Sequence, residues 1–140
     1  MSAICRRWLI LGSLIGALGV GLGAFGAHTL PDLLAKLGYA GDDVTRRLAL
    51  FETAIRYQMF NAIAIVLVGL ASEYRDTRSW RAAGWLFLFG TIVFCGLLKV
   101  MTLASTQWNW LGAIVPFGGV AMIFGWVALA IGAVNAKSAK

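Results

Sequence analysis

Seven residues with chemically capable side chains lie within or beside strongly apolar stretches of this chain: His28, Glu52, Arg56, Tyr57, Gln58, Asn61 and Lys99. In lipid, polar groups face protein, water or one another, so such a set is a candidate polar cluster. Glu52 and Arg56 stand four apart, the spacing at which a carboxylate and a guanidinium on one helix pair. Lys99 is the odd member, because a lysine at mid-bilayer costs about 2.5 to 3.5 kcal/mol on insertion scales. Three fates are open to it: its stem carries the ammonium to the interface, it pairs with Glu52 or with helix-end carbonyls, or it touches a substrate or ion. His28 closes the first apolar run, where an imidazole meets the last carbonyls and the negative end of the helix dipole. A histidine there could also sense pH. Asn61, one turn from Tyr57 and Gln58, is expected to hydrogen-bond to a neighbouring helix.

Signals for catalysis are missing. The chain has no GxSxG elbow, no HExxH, no paired cysteine ligands and no phosphate-binding glycine loop. The spacing of histidine, glutamate and lysine imposes no acid–base arrangement. Cys5 and Cys95 are isolated thiols that make neither a disulfide framework nor a metal site. The expectation is a protein that is not an enzyme and holds no cofactor or metal.

The elements that must position these residues follow from hydropathy. Of 140 residues, 60% are apolar and 13% charged, too little polar surface for a soluble globule of this size. Four apolar runs, Trp8 to Ala27, Tyr57 to Ser72, Ala82 to Leu98 and Leu111 to Val134, compare with the roughly 20 residues that span a bilayer. One domain is expected, an all-α membrane protein: a four-helix transmembrane bundle with helices over about residues 8–27, 43–72, 81–104 and 111–135. Residues 1–27 have some character of a signal peptide, with Arg6 and Arg7 before an apolar stretch. That stretch is longer than a usual signal core and three more spans follow, which favours a first membrane helix.

Helix 1 carries Gly12, Gly16, Gly19, Gly23 and Gly26 on one face, a small-residue stripe on which another helix can pack closely. The packing partner is expected within the monomer, with a homodimer seam or a ligand groove as alternatives. Between helices 1 and 2, Leu30, Leu33, Leu34 and Leu37 recur at helical spacing, with Pro31 suited to a first turn and Gly38 to a stop. They suggest a short interfacial helix resting on the outer leaflet. Gly41, Asp42 and Asp43 then break the chain and cap helix 2, which continues as a stripe of Val44, Leu48, Phe51 and Ile55. Trp80 and Trp85 fit an interfacial aromatic belt. Pro116, Gly118 and Gly119 favour a kink or a late start in helix 4.

The formal charge of +6 is distributed at the ends of apolar runs, which implies membrane lipid as partner; nucleic acid would need a clustered basic face with stacking aromatics. With both termini cytoplasmic, the inner side holds Arg6, Arg7, Arg75, Arg78, Arg81, Lys137 and Lys140, and the outer side Lys36, Arg46, Arg47 and Arg56. The excess favours that orientation. The candidate polar residues, with Gln107, then gather in the outer half.

Several motifs recur together along the chain: Gly23-Ala24-Phe25-Gly26-Ala27-His28; Phe51-Glu52-Thr53-Ala54 followed by Tyr57-Gln58; Gly90 with Phe94 and Gly96; and Pro116, Gly118-Gly119 and Gly125-Trp126. In these the chain resembles the domain of unknown function 423 family of small membrane proteins. The resemblance covers nearly the whole chain and implies four membrane helices and plasma-membrane residence; it carries no activity. Similar members often have histidine at the position of Asn61, serine at those of Cys95 and Leu97, and tyrosine at that of Lys99. Those differences remove a neutral polar row and add a charge. The expected role is a non-enzymatic bundle acting as an accessory or oligomeric component, within a homo-oligomer or a larger membrane complex. A small channel or carrier with an outer vestibule lined by His28, Glu52, Asn61 and Lys99 is one alternative, and a lipid-handling or enzymatic role at the outer interface, with head groups on His28 and Glu52, is another.

Overall fold

A computed structural model describes residues 1–136; Lys137 and Lys140, counted above among the basic residues of the inner side, lie outside them. Among the described residues all regular structure is helical: α1 (Ala3–His28), α2 (Leu30–Lys36), α3 (Asp42–Tyr74), α4 (Arg78–Gly90), a π-helical turn (Thr91–Cys95), α5 (Gly96–Leu103), a 3-10 segment (Thr106–Ala113) and α6 (Val115–Asn135). Four helical spans are long and apolar enough to cross a membrane: Ala3–His28, Asp42–Tyr74, Arg78–Leu103 and Trp110–Asn135. The four-helix membrane architecture expected from the apolar runs is therefore present.

The bounds differ from expectation where local chemistry decides them. Helix α1 begins five residues before Trp8 because Ser2 caps it, its Oγ accepting the Cys5 N–H at 3.1 Å. With 33 residues, α3 is about 50 Å long at 1.5 Å per residue, well beyond the hydrocarbon thickness. The last α-helix starts late, at Val115, with Pro116 in its first turn, where a missing amide costs no bond. Between α4 and α5 the helix widens into the π turn, which no glycine or proline run announces.

Packing of α1 on α3 is built on the glycine stripe. A Cβ at Gly12 would stand 2.8 Å from the Ala62 carbonyl oxygen, at Gly19 2.6 Å from Met59 Sδ and at Gly26 2.7 Å from the Phe51 ring. At Gly16 and Gly23 it would meet Ala62 and Ile55 at 3.7 and 3.6 Å. All five glycines thus face α3 inside the monomer. A second seam joins α4 and the π turn to α6: Gly118 lies under the Phe94 backbone, Gly125 under Phe87 and Gly132 under Trp80. Both seams exploit the dispersion gained when backbones approach closely in a medium that gives apolar side chains no reason to associate.

The chain turns place Met1 beside Glu73 at the end of α3, with the α-ammonium 3.2 Å from its carboxylate. At the same end Trp80 donates its indole N–H to the Leu129 carbonyl of α6 at 3.1 Å. The amino terminus, the α3–α4 turn and the end of α6 therefore share one end of the bundle, and α2 with the 3-10 segment lies at the other. Two expectations are corrected here. Trp80 is buried rather than part of an interfacial belt, because its N–H has a carbonyl to reach; Trp85 is exposed, edge-on to Trp8 at 5.4 Å. Helix α2 rests only part of its leucine stripe outward: Leu30 and Leu34 are fully buried against Phe51, Leu33 is partly buried and Leu37 is exposed.

Candidate functional site

Helix α3 presents its buried face in alternating steps of four and three residues: Arg47, Phe51, Ala54, Gln58, Asn61, Ile65, Val68 and Ser72. That is the spacing of a continuous helical stripe packed against neighbours. Three strongly polar side chains, those of Arg47, Gln58 and Asn61, thus point into the bundle in its half remote from the termini. Each ties α3 to another part of the chain.

Arg47 is 1% exposed. Its Nη1 donates to the carbonyl oxygens of Met101, Thr102 and Ala104 at 3.2, 2.8 and 2.9 Å, and its Nε to Asp43 Oδ2 at 3.0 Å. The guanidinium also lies 3.5 Å over the Tyr39 ring. Three carbonyls that the end of α5 leaves without intrahelical donors are thereby satisfied by a cation at the negative end of the helix dipole. In the sequence Arg47 counts only as one of the basic residues of the outer side, with Lys36, Arg46 and Arg56. The signal that singles it out is register, since it continues the stripe of Phe51, Gln58 and Asn61 one turn outward, four residues after Asp43.

Gln58 joins three helices. Its Nε2 donates to the Ile15 carbonyl of α1 at 2.8 Å, and its Oε1 accepts from Lys99 Nζ of α5. An amide suits this place because it supplies a donor on one side and an acceptor on the other. The Ile15 carbonyl is within reach because Gly16 and Gly19 let α1 approach. Lys99, half-buried, is therefore held by Gln58 and not by Glu52, and its stem does not carry the ammonium outward past the end of α5. Asn61 Nδ2 donates to the Tyr57 carbonyl of its own helix at 2.9 Å and to Met122 Sδ of α6 at 3.2 Å, the interhelical contact expected of it.

The remaining candidates are elsewhere. Glu52 and Arg56 form their expected ion pair at 2.5 Å, but on the outer surface of α3, with side chains 70% and 59% exposed. His28 is exposed and among the described residues has no hydrogen-bond partner; the end of α1 is closed instead by the Thr29 N–H on the Phe25 carbonyl. Tyr57 is partly exposed between the rings of Phe60 and Phe94, and Gln107 is exposed. His28, Glu52, Asn61 and Lys99 consequently do not line one vestibule. The direction of each side chain is set by its position on the helix: Glu52 and Arg56 lie on the opposite side of α3 from Gln58 and Asn61. Among the described residues no group of three histidine, cysteine or acidic side chains gathers as metal ligands would.

Comparison with known proteins agrees with this architecture. Residues 22–119 match the family described as "Protein of unknown function (DUF423)". A UPF0382 membrane protein of Staphylococcus epidermidis is 39% identical over 127 residues, 90% of this chain and 93% of the relative. One of Bacillus subtilis is 37% identical over 131 residues, 93% and 98% of the two chains. No solved structure matches. Matched across most of its length by the family profile and nearly end to end by relatives that are named membrane proteins, the chain belongs to the DUF423 family.

Proposed function

We propose that this protein is a non-enzymatic helical bundle of the plasma membrane, with both termini in the cytoplasm, that serves as an accessory or oligomeric component of a membrane assembly. The observation that carries this reading is the employment of its polar interior. Among the described residues no buried side-chain nitrogen or oxygen lacks a hydrogen-bond partner, and Arg47, Gln58 and Asn61 are engaged in holding helices together. A catalytic or transport site would instead leave such groups aimed at a cavity. The chain's large apolar side chains that face outward, including Leu14, Leu18, Phe60, Phe117 and Phe124, offer flanks for lipid and for neighbouring membrane helices.

Orientation rests on basic residues. Arg6, Arg7, Arg75, Arg78 and Arg81 stand at the end that carries the amino terminus. Lys36, Arg46, Arg47 and Arg56 stand at the other, where Arg47 is buried and Arg46 and Arg56 are paired with Asp43 and Glu52. The excess favours a cytoplasmic location for the terminal end. Residence in the plasma membrane extends to this chain what the names of its bacterial relatives say of them, that they are membrane proteins.

The test is the mass of the detergent-solubilised protein set against its 15.0 kDa chain. A multiple of that mass, or a stoichiometric co-purifying membrane protein, is expected. A strict monomer that brings nothing with it from the membrane contradicts the proposal. Reporter fusions at the two termini test orientation, and activity on the non-cytoplasmic side for either one refutes it.

A further inference from the structure

A groove of about 540 Å³ opens on the flank of the bundle between the end of α1, the start of α2 and the first half of α3. Gly23, Ala27, Phe51 and Ile55 give it an apolar floor, and Glu52 and Arg56 line it as well. The ion pair of these two is exposed, so its charges stay available to a ligand. Below Arg56, α3 carries no formal charge until Glu73, which puts the pair where the helix emerges from hydrocarbon, at head-group depth. Four residues of helix place Glu52 about 6 Å farther from the bilayer centre than Arg56.

A phosphoethanolamine head group has the same polarity in the same direction: its phosphate lies next to the acyl chains and its ammonium farther out. We propose that the groove is a binding site for phosphatidylethanolamine, with the phosphate on Arg56, the ammonium on Glu52, and the glycerol and upper acyl chain against the apolar floor. The guanidinium fork suits phosphate oxygens, and the ammonium brings N–H donors to the carboxylate. A phosphocholine group has no such donors, and a phosphoglycerol group has no cation for Glu52. The match holds in whichever leaflet this end lies, and it does not depend on the accessory role proposed above.

The experiment is native mass spectrometry of the full chain in mild detergent, titrated separately with phosphatidylethanolamine, phosphatidylcholine and phosphatidylglycerol of identical acyl chains. Phosphatidylethanolamine is expected to bind roughly threefold or more tightly than either competitor, the scale of an exposed charge contact. Glu52→Gln brings its binding down to the phosphatidylcholine level, and Arg56→Gln weakens all three lipids. Exchanging the charges with Glu52→Arg and Arg56→Glu keeps the ion pair but reverses its direction, and abolishes the preference. Ala27→Phe fills the groove and lowers binding of every lipid. Equal binding of the three lipids, or a preference that survives the exchange or the filled groove, overturns the proposal. All three positions are exposed, and an unchanged unfolding midpoint confirms that each variant remains folded.

Discussion

Two adjacent arginines, Arg46 and Arg47, both reach Asp43, at 2.7 and 3.0 Å, yet their replacement is expected to have very different consequences. Arg46 keeps half its side chain exposed, so Arg46→Met should leave stability within the scatter of the measurement. Arg47 is buried, and the two N–H groups on its Nη1 serve the carbonyls of Met101, Thr102 and Ala104. Two charge-assisted hydrogen bonds at about 1.5 to 3 kcal/mol each give a gross loss of about 3 to 6 kcal/mol in Arg47→Met. Part of this is offset, because methionine avoids the desolvation of a guanidinium and the carbonyls of Met101 and Ala104, unlike that of the buried Thr102, are only part-buried. The net destabilisation expected is about 2 to 4 kcal/mol. Arg47→Lys keeps the charge but loses the fork and should fall between. Reversible unfolding in mixed micelles, followed by helical circular dichroism against rising sodium dodecyl sulfate, measures all three. Equal effects of Arg46→Met and Arg47→Met, or an Arg47→Met protein as stable as the parent, would refute the reasoning.

Two further expectations use the same assay. Gly12→Ala should destabilise by about 1 to 3 kcal/mol, the cost of overpacking, since its Cβ would press on the backbone oxygen of Ala62 at 2.8 Å. Gly16→Ala, which would meet only the Ala62 methyl at 3.7 Å, should be neutral or stabilising; a reversed order would show that α1 packs through a different face. A double-mutant cycle on Gln58→Leu and Lys99→Leu should give a coupling of about 0.5 to 2 kcal/mol, whereas additive effects would mean that the amide and the ammonium do not meet.

Much of the architecture was legible because lipid imposes simple rules. The four spans follow from uninterrupted apolar runs, and the seam between α1 and α3 from Gly12, Gly16, Gly19, Gly23 and Gly26 recurring on one face. The α6 seam was not readable in the sequence: Gly118 there suggests a kink or a late helix start, and the seven-residue spacing of Gly118, Gly125 and Gly132 is hidden among many other small residues in an apolar run. The π turn at Thr91–Cys95 was not legible, since no glycine or proline lies within it. The α2 helix was readable but its facing was not: a leucine stripe fits lipid and a protein groove equally well, and only the position of Phe51 decides. The polar residues were recognised as unusual, yet grouping them by depth hid the rotation that separates Glu52 and Arg56 from Gln58 and Asn61. Counting Arg47 with the loop charges concealed its place on the buried stripe.

The central claim is that the polar stripe of α3 is sealed between helices while the neighbouring charged pair faces outward. Single cysteines at Glu52, Arg56, Gln58 and Asn61, placed in a chain whose buried Cys5 and Cys95 are replaced by alanine, test it directly through labelling with a membrane-impermeant maleimide in sealed vesicles of each orientation. Rapid labelling at positions 52 and 56 with protection at 58 and 61 is the result this account expects. Comparable labelling at all four positions would reveal a water-filled vestibule reaching Gln58 and Asn61, and would contradict it.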